Sequence, residues 1–166
     1  PVADRGAPGG GPSASSPWTP EVFDYDRPRR LNIIERGESR DKLSGTRQIE
    51  LAFRNIRQEP VPVTVTLPEK GKGPYPVVLL VHPLGGDRRQ MTREMGKALV
   101  AKGIACVAPD LPGHGDRSNG KVEDLFAPGD PDKAYRNVVR AIMDIRQTMD
   151  LIKQREDLDS DKGVPI

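Results

Sequence analysis

The sequence has one cysteine, few aromatic residues and no long apolar run. The single cysteine, Cys106, excludes an internal disulfide, and its place in an apolar segment predicts a small core side chain more than a reactive thiol. The longest apolar run has the length of a strand, so we expect no integral membrane segment. Lys and Arg number 26 against 24 Asp and Glu, and aromatic residues make up only 4% of the chain. This composition gives no basic face with interleaved aromatic side chains, so we expect no nucleic-acid partner.

The chain opens on a segment that can bury little. Residues 1–20 are mostly Pro, Gly, Ser and Ala, which is typical of a flexible linker and leaves residues 21–166 to form one domain. The opening residues contain no initiator methionine, charged n-region or apolar h-region. Such a linker suits both an exported protein whose signal peptide has been removed and a tether between domains. The compartment therefore stays open, with a slight preference for export.

The centre of the chain has the pattern of a strand–helix–strand unit. Residues 77–81 form an unbroken apolar run, which predicts a strand buried on both faces of a parallel sheet, and residues 104–108 form a second run. Between them, residues 88–102 are predicted to form a helix that ends at Gly103 in a left-handed cap. The stripe of this helix that faces the core is expected to comprise Met91, Met95, Ala98 and Leu99. In right-handed crossovers of this kind, ligands bind in the loops that follow the strands.

The flanking segments extend this α/β pattern. Residues 48–54 and 61–67 alternate apolar and polar side chains, which predicts an antiparallel pair at the edge of the sheet. Residues 18–46 show no clear period and are predicted to be a lead-in with five anchors on the domain, namely Phe23, Tyr25, Leu31, Ile33 and Ile34. A helix is expected to start at Asp130-Pro131 and to pack on the sheet through Tyr135, Val138, Val139, Ile142, Ile145, Met149 and Ile152. Residues 162–166 are expected to begin the next strand.

Two loops of the central unit carry a family resemblance. The turn His82-Pro83-Leu84-Gly85-Gly86 and the loop Asp110-Leu111-Pro112-Gly113-His114-Gly115-Asp116-Arg117-Ser118 resemble the His-Gly-x-Gly turn and the Asp-x-Pro-Gly-x-Gly-x-Ser loop of the α/β-hydrolase fold. Residues 23–26 and 61–68 look most like the dienelactone-hydrolase and acetyl-xylan-esterase branch. The resemblance covers about residues 23–166. It implies an antiparallel strand pair that leads into a parallel sheet flanked by helices.

The sequence departs from the resembled family in one respect, because it contains no Gly-x-Ser-x-Gly. None of its seven serines has glycine two residues away on both sides. In the resembled fold this nucleophile elbow follows the fifth strand, and the acid and the histidine come later still. Residues 21–166 are therefore interpreted as the N-terminal portion of an α/β-hydrolase domain that is truncated before the elbow. The nucleophile, acid and catalytic histidine are expected beyond Ile166.

The turn after residues 77–81 is the predicted oxyanion-hole half of a site. Acyl transfer needs N–H donors aimed at the oxygen that becomes negative, and in the resembled fold one donor is a backbone N–H of this turn. By motif position the donor is Leu84. Pro83 stands where glycine is commoner and has no N–H, while Gly85 and Gly86 allow a tight turn and close approach of a substrate.

The two histidines are not expected to be catalytic. By the resemblance, His82 braces its loop, whereas His114 and Phe126 are expected to border the substrate pocket. A metal site would need both histidines to converge with Cys106 and Asp110, and no pair has the spacing of a zinc site, so we expect neither metal nor cofactor. Asp110 and Asp116 are predicted to fix their loop through hydrogen bonds.

Two functions from different classes fit the sequence. One is a serine hydrolase of the esterase type, acting on an ester or related small acyl substrate, of which this chain carries only the oxyanion-hole half and is inactive alone. The other is a non-catalytic binding or interaction protein built on a remnant of the fold. In either case a chain that ends here would leave residues 77–81 paired on one side only, which predicts self-association through that edge.

Overall fold

The computed structural model describes residues 19–119 and 127–162, which form one curled six-stranded sheet with helices on both faces. The strands are β1 (Ile33–Asp41), β2 (Thr46–Arg54), β3 (Pro60–Pro68), β4 (Tyr75–Leu79), β5 (Ala105–Pro109) and β6 (Leu158–Asp159). The helices are α1 (Arg88–Met91), α2 (Lys97–Val100) and α3 (Pro131–Lys153), with a π-helical stretch, Thr92–Gly96, between the first two. Strand order is β1-β2-β3-β5-β4-β6. The expected α/β architecture, in which antiparallel strands lead into a parallel sheet flanked by helices, is confirmed.

The first three strands form an antiparallel meander that joins the parallel part through β3 and β5. The predicted pairing of β2 with β3 is confirmed, but its place at the sheet edge is wrong, because β1 lies outside β2. From the sequence, the residues of β1 are predicted to lie in the lead-in. All nine residues of this strand are exposed, and a strand with two solvent-exposed faces shows no apolar alternation. Among the expected anchors Leu31 is buried, whereas Ile33 and Ile34 are exposed in β1.

The central unit has the expected parallel crossover, in which β4 and β5 pair through Val77–Leu79 and Ala105–Val107. Gly103 has φ +75° and caps the connecting helix, since its N–H donates to Val100 O at 2.9 Å. The strand β4 ends earlier than predicted, at Leu79, and Val81 is 37% exposed. Full burial on both faces was therefore wrong for the end of this run.

The helical residues 88–100 face the sheet with a different stripe from the predicted one. The buried positions are Arg88, Thr92, Gly96 and Val100, whereas Met95 and Ala98 are exposed and Met91 and Leu99 are half-buried. Gly96 explains why this stripe faces the sheet, because a Cβ there would lie 3.4 Å from Cys106 Sγ. The helix approaches β5 so closely that small side chains occupy the contact and the larger Met95 points outward.

Helix α3 starts as predicted but packs on the sheet with another face. Asp130 caps it by accepting the Lys133 N–H at 2.9 Å. Of the expected stripe only Ile152 is buried, while Val138 and Met149 are exposed. The sheet is contacted mainly through Asp144, Gln147, Thr148 and Leu151, so the 3.6-residue apolar period marked the wrong side of the helix.

The strand after α3 arrives earlier than expected. β6 pairs with β4 through Tyr75–Leu158 and Pro76–Asp159, and Ser160–Lys162 then forms a 3₁₀ turn that ends at the first residue of the predicted strand, 162–166. The rest of that predicted strand, most of the 1–20 linker, Trp18 and Phe126 lie outside the described residues. Among residues 19–119 and 127–162, no helix is long and apolar enough to cross a membrane.

Two apolar clusters fill the two faces of the sheet. The larger cluster lies under α3 and includes Val77, Val107, Leu151 and Leu158, with Leu79 packed at its margin. The smaller one lies under α1 and α2 and consists of Val78, Leu80, Cys106 and Ala108. Both strands of the central unit are thus held from both faces, and the loops that follow them are fixed at one end of the sheet.

Candidate active site

The turn after β4 and the loop after β5 lie side by side at the carboxyl ends of the two strands. The Gly86 N–H donates to Pro83 O at 3.0 Å and closes a β-turn over residues 83–86. Gly85 has φ +76°, the left-handed conformation that the third residue of such a turn requires. A Cβ at Gly86 would lie 2.8 Å from Gln90 Oε1 and 3.1 Å from Pro83 O, so a larger residue there would require the Gln90 side chain and the turn to shift.

The turn presents its outer edge to solvent. Pro83, Leu84 and Gly85 are exposed, and the Leu84 residue is 55% accessible. Within the described part of the chain, neither the Leu84 N–H nor the Gly85 N–H has a hydrogen-bond acceptor. The turn therefore offers backbone donors that its own fold does not use.

His82 joins the turn to the loop beneath it. Its ring is buried, and the Leu111 N–H donates to Nε2 at 3.1 Å. Since Nε2 accepts, Nδ1 carries the proton and donates to Pro83 O at 2.9 Å. Burial lowers the pKa of His82, an effect partly opposed by its bond to Pro83 O. Both nitrogens of the neutral ring are engaged, so the residue bridges the two segments.

His114 packs against His82 with ring centroids 4.6 Å apart. Its Nδ1 donates to Pro112 O at 3.0 Å, which fixes the proton on that nitrogen and leaves Nε2 as an acceptor. Nε2 is buried and has no hydrogen-bond partner in the part of the chain that the structure describes. Both histidines thus lie behind the exposed turn.

A buried arginine links the start of α1 to the loop after β5. Arg88 is 2% exposed, and Asp110 is fully buried. The Arg88 guanidinium binds the Asp110 carboxylate, and the Arg88 backbone N–H donates to Asp110 Oδ1 at 2.9 Å. Asp110 Oδ2 also accepts the Asp116 N–H at 2.9 Å. Gly115, at φ +52°, has no room for a side chain, because a Cβ there would overlap the Asp110 carboxylate.

The same guanidinium has two further carboxylate partners. Arg88 Nη2 lies 3.0 Å from Glu50 Oε2 on β2 and 2.8 Å from Asp116 Oδ2. Burial alone would lower the pKa of Arg88, but the carboxylates outweigh it and raise that pKa. Arg89 completes the group, since its hydrogen bond lowers the pKa of Asp116. Three segments distant in sequence therefore meet on one side chain.

A second polar group fixes the other side of the loop. Asp144 on α3 is fully buried and accepts from Asn55 Nδ2 at 2.9 Å and from Arg117 Nη1 at 2.6 Å. Arg117 also reaches Glu59 Oε2 at 3.2 Å. These bonds hold the β2–β3 turn, the loop after β5 and α3 together.

The sequence identified most of the turn and loop residues but missed the arginine that connects them. The structure brings His82, Leu84, Gly86 and His114 to one end of the sheet, whereas Phe126 lies outside the described residues. Arg88 was not singled out, because an arginine in a helix is usually solvated. The available signal was charge complementarity between Arg88-Arg89 and the two aspartates of the loop.

The described residues contain neither a metal-binding cluster nor an accessible thiol. No group of three or more His, Cys, Asp or Glu side chains there could hold a metal ion. Cys106 is 1% exposed, and burial raises the pKa of its thiol to about 11, which keeps it protonated near neutral pH. It lies in the apolar cluster under α1 and α2, as expected for a small core side chain.

Several solved esterases share this fold. A Bacteroides fragilis protein assigned as an acetyl xylan esterase superposes with a TM-score of 0.68 at 18% identity, over 87% of this chain and 43% of that one. Acetyl xylan esterase from Paenibacillus sp. R4 gives 0.64 at 20% identity, over 83% of this chain and 46% of that one. Glucuronoyl esterase from Solibacter usitatus gives 0.56 at 14% identity, over 88% and 50% respectively.

The likeness is one of fold and of part length. This chain spans about half the length of each of those esterases. No family model and no curated protein sequence matches it. The fold is therefore that of the first part of an α/β-hydrolase.

Proposed function

We propose that this chain is the N-terminal half of a serine esterase domain and that it supplies one donor of the oxyanion hole, the backbone N–H of Leu84. The observation that carries the proposal is the turn over residues 83–86, in which Leu84 is exposed and its N–H has no acceptor among residues 19–119 and 127–162. The substrate class is an ester or related acyl compound of small-molecule size. Likeness of fold to solved esterases supports the reaction class.

The turn has features that suit an oxyanion hole. A donor for a developing negative charge is effective when it is fixed before the reaction begins. Gly86 is closely surrounded by Pro83 and Gln90, and directly after the turn the Asp87 carboxylate caps α1 by accepting the Gln90 N–H. His82 fastens the other end to Leu111. Pro83 cannot donate, so the donor falls one residue later, on Leu84.

The remaining catalytic groups are proposed to follow in a longer polypeptide. A nucleophilic serine on an elbow, a carboxylate and a histidine are needed for acyl transfer in this fold. None of the serines in this chain lies in such an elbow. We therefore expect the 166-residue chain alone to show no hydrolysis of p-nitrophenyl acetate above a Leu84→Pro control. Fluorophosphonate-sensitive turnover by this chain would contradict the proposal.

The test extends the reading frame past the codon for Ile166 and assays the longer polypeptide. Leu84→Pro removes the N–H and should lower turnover about a hundredfold, the usual effect of deleting one oxyanion donor. Leu84→Ala keeps the N–H, removes only an exposed side chain, and should stay within about threefold of the parent. Equal activity of the two variants would show that Leu84 is not the donor. Absence of esterase activity in the longer polypeptide would remove the proposed function itself.

A further inference from the structure

A cleft lies between the lead-in and the turn that joins β2 to β3. Its volume is about 540 Å³, and its walls come from residues within 24–32 and 54–58 and from Gln147 on α3. Clefts that bind small molecules usually have volumes of roughly 300–1,000 Å³. This cleft is therefore large enough to hold a small molecule.

The walls of the cleft are fixed by hydrogen bonds to α3 and β2. The Leu31 N–H donates to Gln154 Oε1 at 2.9 Å, and the Leu31 residue is 7% exposed. The Arg54 N–H, at the end of β2, donates to Asn32 O at 3.0 Å. The lead-in is thus held against the domain along the cleft, and a ligand would not have to order it on binding.

Six exposed side chains line the cleft with hydrogen-bonding groups of three kinds. They are two carboxylates, two guanidiniums and two amides: Asp24, Asp26, Arg30, Arg54, Asn32 and Gln58. Because the two negative and two positive charges cancel, the lining as a whole favours neither an anion nor a cation. Its donors and acceptors suit a neutral ligand whose groups both donate and accept hydrogen bonds.

Much of this hydrogen-bonding capacity is not used by the fold. Asp24 has one ion pair, with Arg146 Nη2 at 3.5 Å. Among residues 19–119 and 127–162, the side chains of Asp26 and Arg30 have no hydrogen bond or ion pair. A ligand can therefore bind these groups without breaking contacts that hold the domain together.

Apolar surface lies among the polar groups of the cleft. Tyr25 is half-buried, and Pro28 and Ile56 are exposed in the walls. The Tyr25 ring is held in place because its hydroxyl donates to the Asp150 carboxylate. A sugar ring matches this combination, since its hydroxyl groups donate and accept at the edge and its C–H groups pack on apolar side chains.

Gln58 has a backbone conformation that glutamine rarely adopts. Its φ is +62°, in the left-handed region that favours glycine. The Gln58 N–H donates to Asn55 O at 2.8 Å, which fixes the turn in this shape. The Gln58 side chain lines the cleft and has no hydrogen bond in the described part of the chain, so the fold alone does not account for glutamine here. Backbone strain of this kind is typical of ligand-binding sites.

The cleft is separate from the candidate active site and offers a peptide no strand edge. Two strands lie between β2 and β4, so the ends of β2 and β4 are about 14 Å apart. β2, which ends at the cleft, is paired on both sides, so a peptide could not add a strand to it.

We propose that this cleft is a non-catalytic binding site for a neutral saccharide. The carboxylates of Asp24 and Asp26 accept hydrogen bonds from sugar hydroxyl groups, while the guanidiniums of Arg30 and Arg54 and the amide of Gln58 donate to them. The apolar walls pack against a ring face. This inference goes beyond the proposed function and does not depend on it, so saccharide binding and ester hydrolysis can fail independently.

The test measures saccharide binding by the 166-residue chain. Saturation-transfer difference NMR with cellotriose, maltotriose and mannotriose observes the ligand and tolerates self-association of the chain. At least one trisaccharide should bind at concentrations up to about 10 mM. Asp26→Asn and Gln58→Gly should each weaken that binding about fivefold or more, because each removes a hydrogen-bonding group. Asp161→Asn changes an exposed carboxylate beside β6, at the other edge of the sheet, and as the matched control should alter the affinity by less than about twofold.

Gln58→Gly separates ligand binding from a structural role of the side chain. Glycine relaxes the left-handed backbone, so the melting temperature of this variant should not fall although its affinity does. Absence of saturation transfer to all three trisaccharides would overturn the proposal, and so would binding that both cleft variants leave unchanged. Stronger saturation transfer to N-acetyl-trialanine amide or to glucuronate than to the trisaccharides would assign the cleft to a peptide or an anion and would overturn it as well.

Discussion

At the scale of single residues, the candidate site depends on buried side chains whose protonation state and ion pairs are set by burial and by neighbouring groups. His82 is kept neutral by burial, and its Nε2 can accept the Leu111 N–H only in that form. The charged groups that face it oppose one another: His114 lowers its pKa, and Asp110 and Asp87 raise it. Protonation would remove the bond between the turn and the loop.

The 166-residue chain should therefore become less stable as the pH falls below about 6.5, the ordinary pKa of histidine. The folded-state pKa of His82 is lowered, so the unfolded chain takes up a proton first and the free energy of unfolding decreases. Urea unfolding of the chain at pH 7.5 and 5.5 measures the loss. His82→Gln, whose Oε1 can accept the Leu111 N–H without titrating, should lose less over that interval. Identical pH profiles of the two proteins would exclude this role for His82.

The pairing of Arg88 gives a second expectation at this scale. Asp110→Asn leaves a fully buried arginine without its most buried counter-charge and should cost about 3–5 kcal/mol of the free energy of unfolding. Arg89→Ala removes only a half-exposed pair with Asp116 and should cost less than about 1 kcal/mol. Denaturant unfolding of the two variants beside the parent checks the contrast. A similar cost for both would mean that the buried Arg88–Asp110 pair contributes no more to stability than the exposed Arg89–Asp116 pair.

At the scale of elements, the sequence located most strands and helices but assigned some of their faces wrongly. The apolar alternation of β2 and β3 was visible in the sequence, although β3 is buried on both faces and carries Thr64 and Thr66 on the second one. The exposed strand β1 buries nothing, so its pairing left no trace in the pattern. The sequence located helices 88–100 and α3 but not the faces that they turn to the core. Those faces include Arg88, Asp144 and Gln147, which can be buried because they bind groups from distant segments. The Leu84 turn was recognisable only by its resemblance to a motif.

The close contact between the first helix and β5 can be tested at Gly96. A methyl group there would meet Cys106 Sγ and Thr92 Cγ2 at 3.4 Å, which is ordinary contact. Gly96→Ala should therefore be neutral or stabilise the chain by up to about 1 kcal/mol through helix propensity. Gly96→Leu overfills the contact and should destabilise it by about 1–3 kcal/mol. Thermal unfolding distinguishes the two, and equal stability of both variants would show that the helix is not tightly seated.

At the scale of the whole molecule, the two edges of the sheet differ. The β1 edge carries Glu38, Arg40 and Asp41, charges that discourage pairing with another chain. The opposite edge is protected by β6 only at Tyr75 and Pro76. Beyond that point, the paired residues of β4 have no strand neighbour on this side among residues 19–119 and 127–162.

The 166-residue chain expressed alone should therefore self-associate through β4. Leu79→Lys places a charge at the open edge and should shift the sedimentation distribution towards monomer, while circular dichroism shows that the variant remains folded. Ile34→Lys, on the exposed β1 edge, is the matched control and should change nothing. A parent chain that sediments as a monomer, with slow exchange of the Leu79 amide, would mean that the edge is already covered.

The position of the ionic contacts has a consequence for how this molecule responds to acid. Three sets of titratable contacts lie at the candidate site, where the strands end. They are the ion pairs of Arg88 with three carboxylates, the ion pair of Asp144 with Arg117, and the hydrogen bond of His82 with the Leu111 N–H. The opposite end, around Leu67, Tyr75 and Leu158, also has ion pairs, Arg155–Asp157 and Lys162–Asp159, but these are more exposed than Arg88–Asp110, and the apolar cluster at that end does not titrate. The pKa values of Asp116 and Glu59 are lowered, so their contribution is lost as the pH falls through the ordinary range of carboxylates. The candidate site is thus the acid-labile pole of the domain, and amide exchange should accelerate there before the apolar pole loosens.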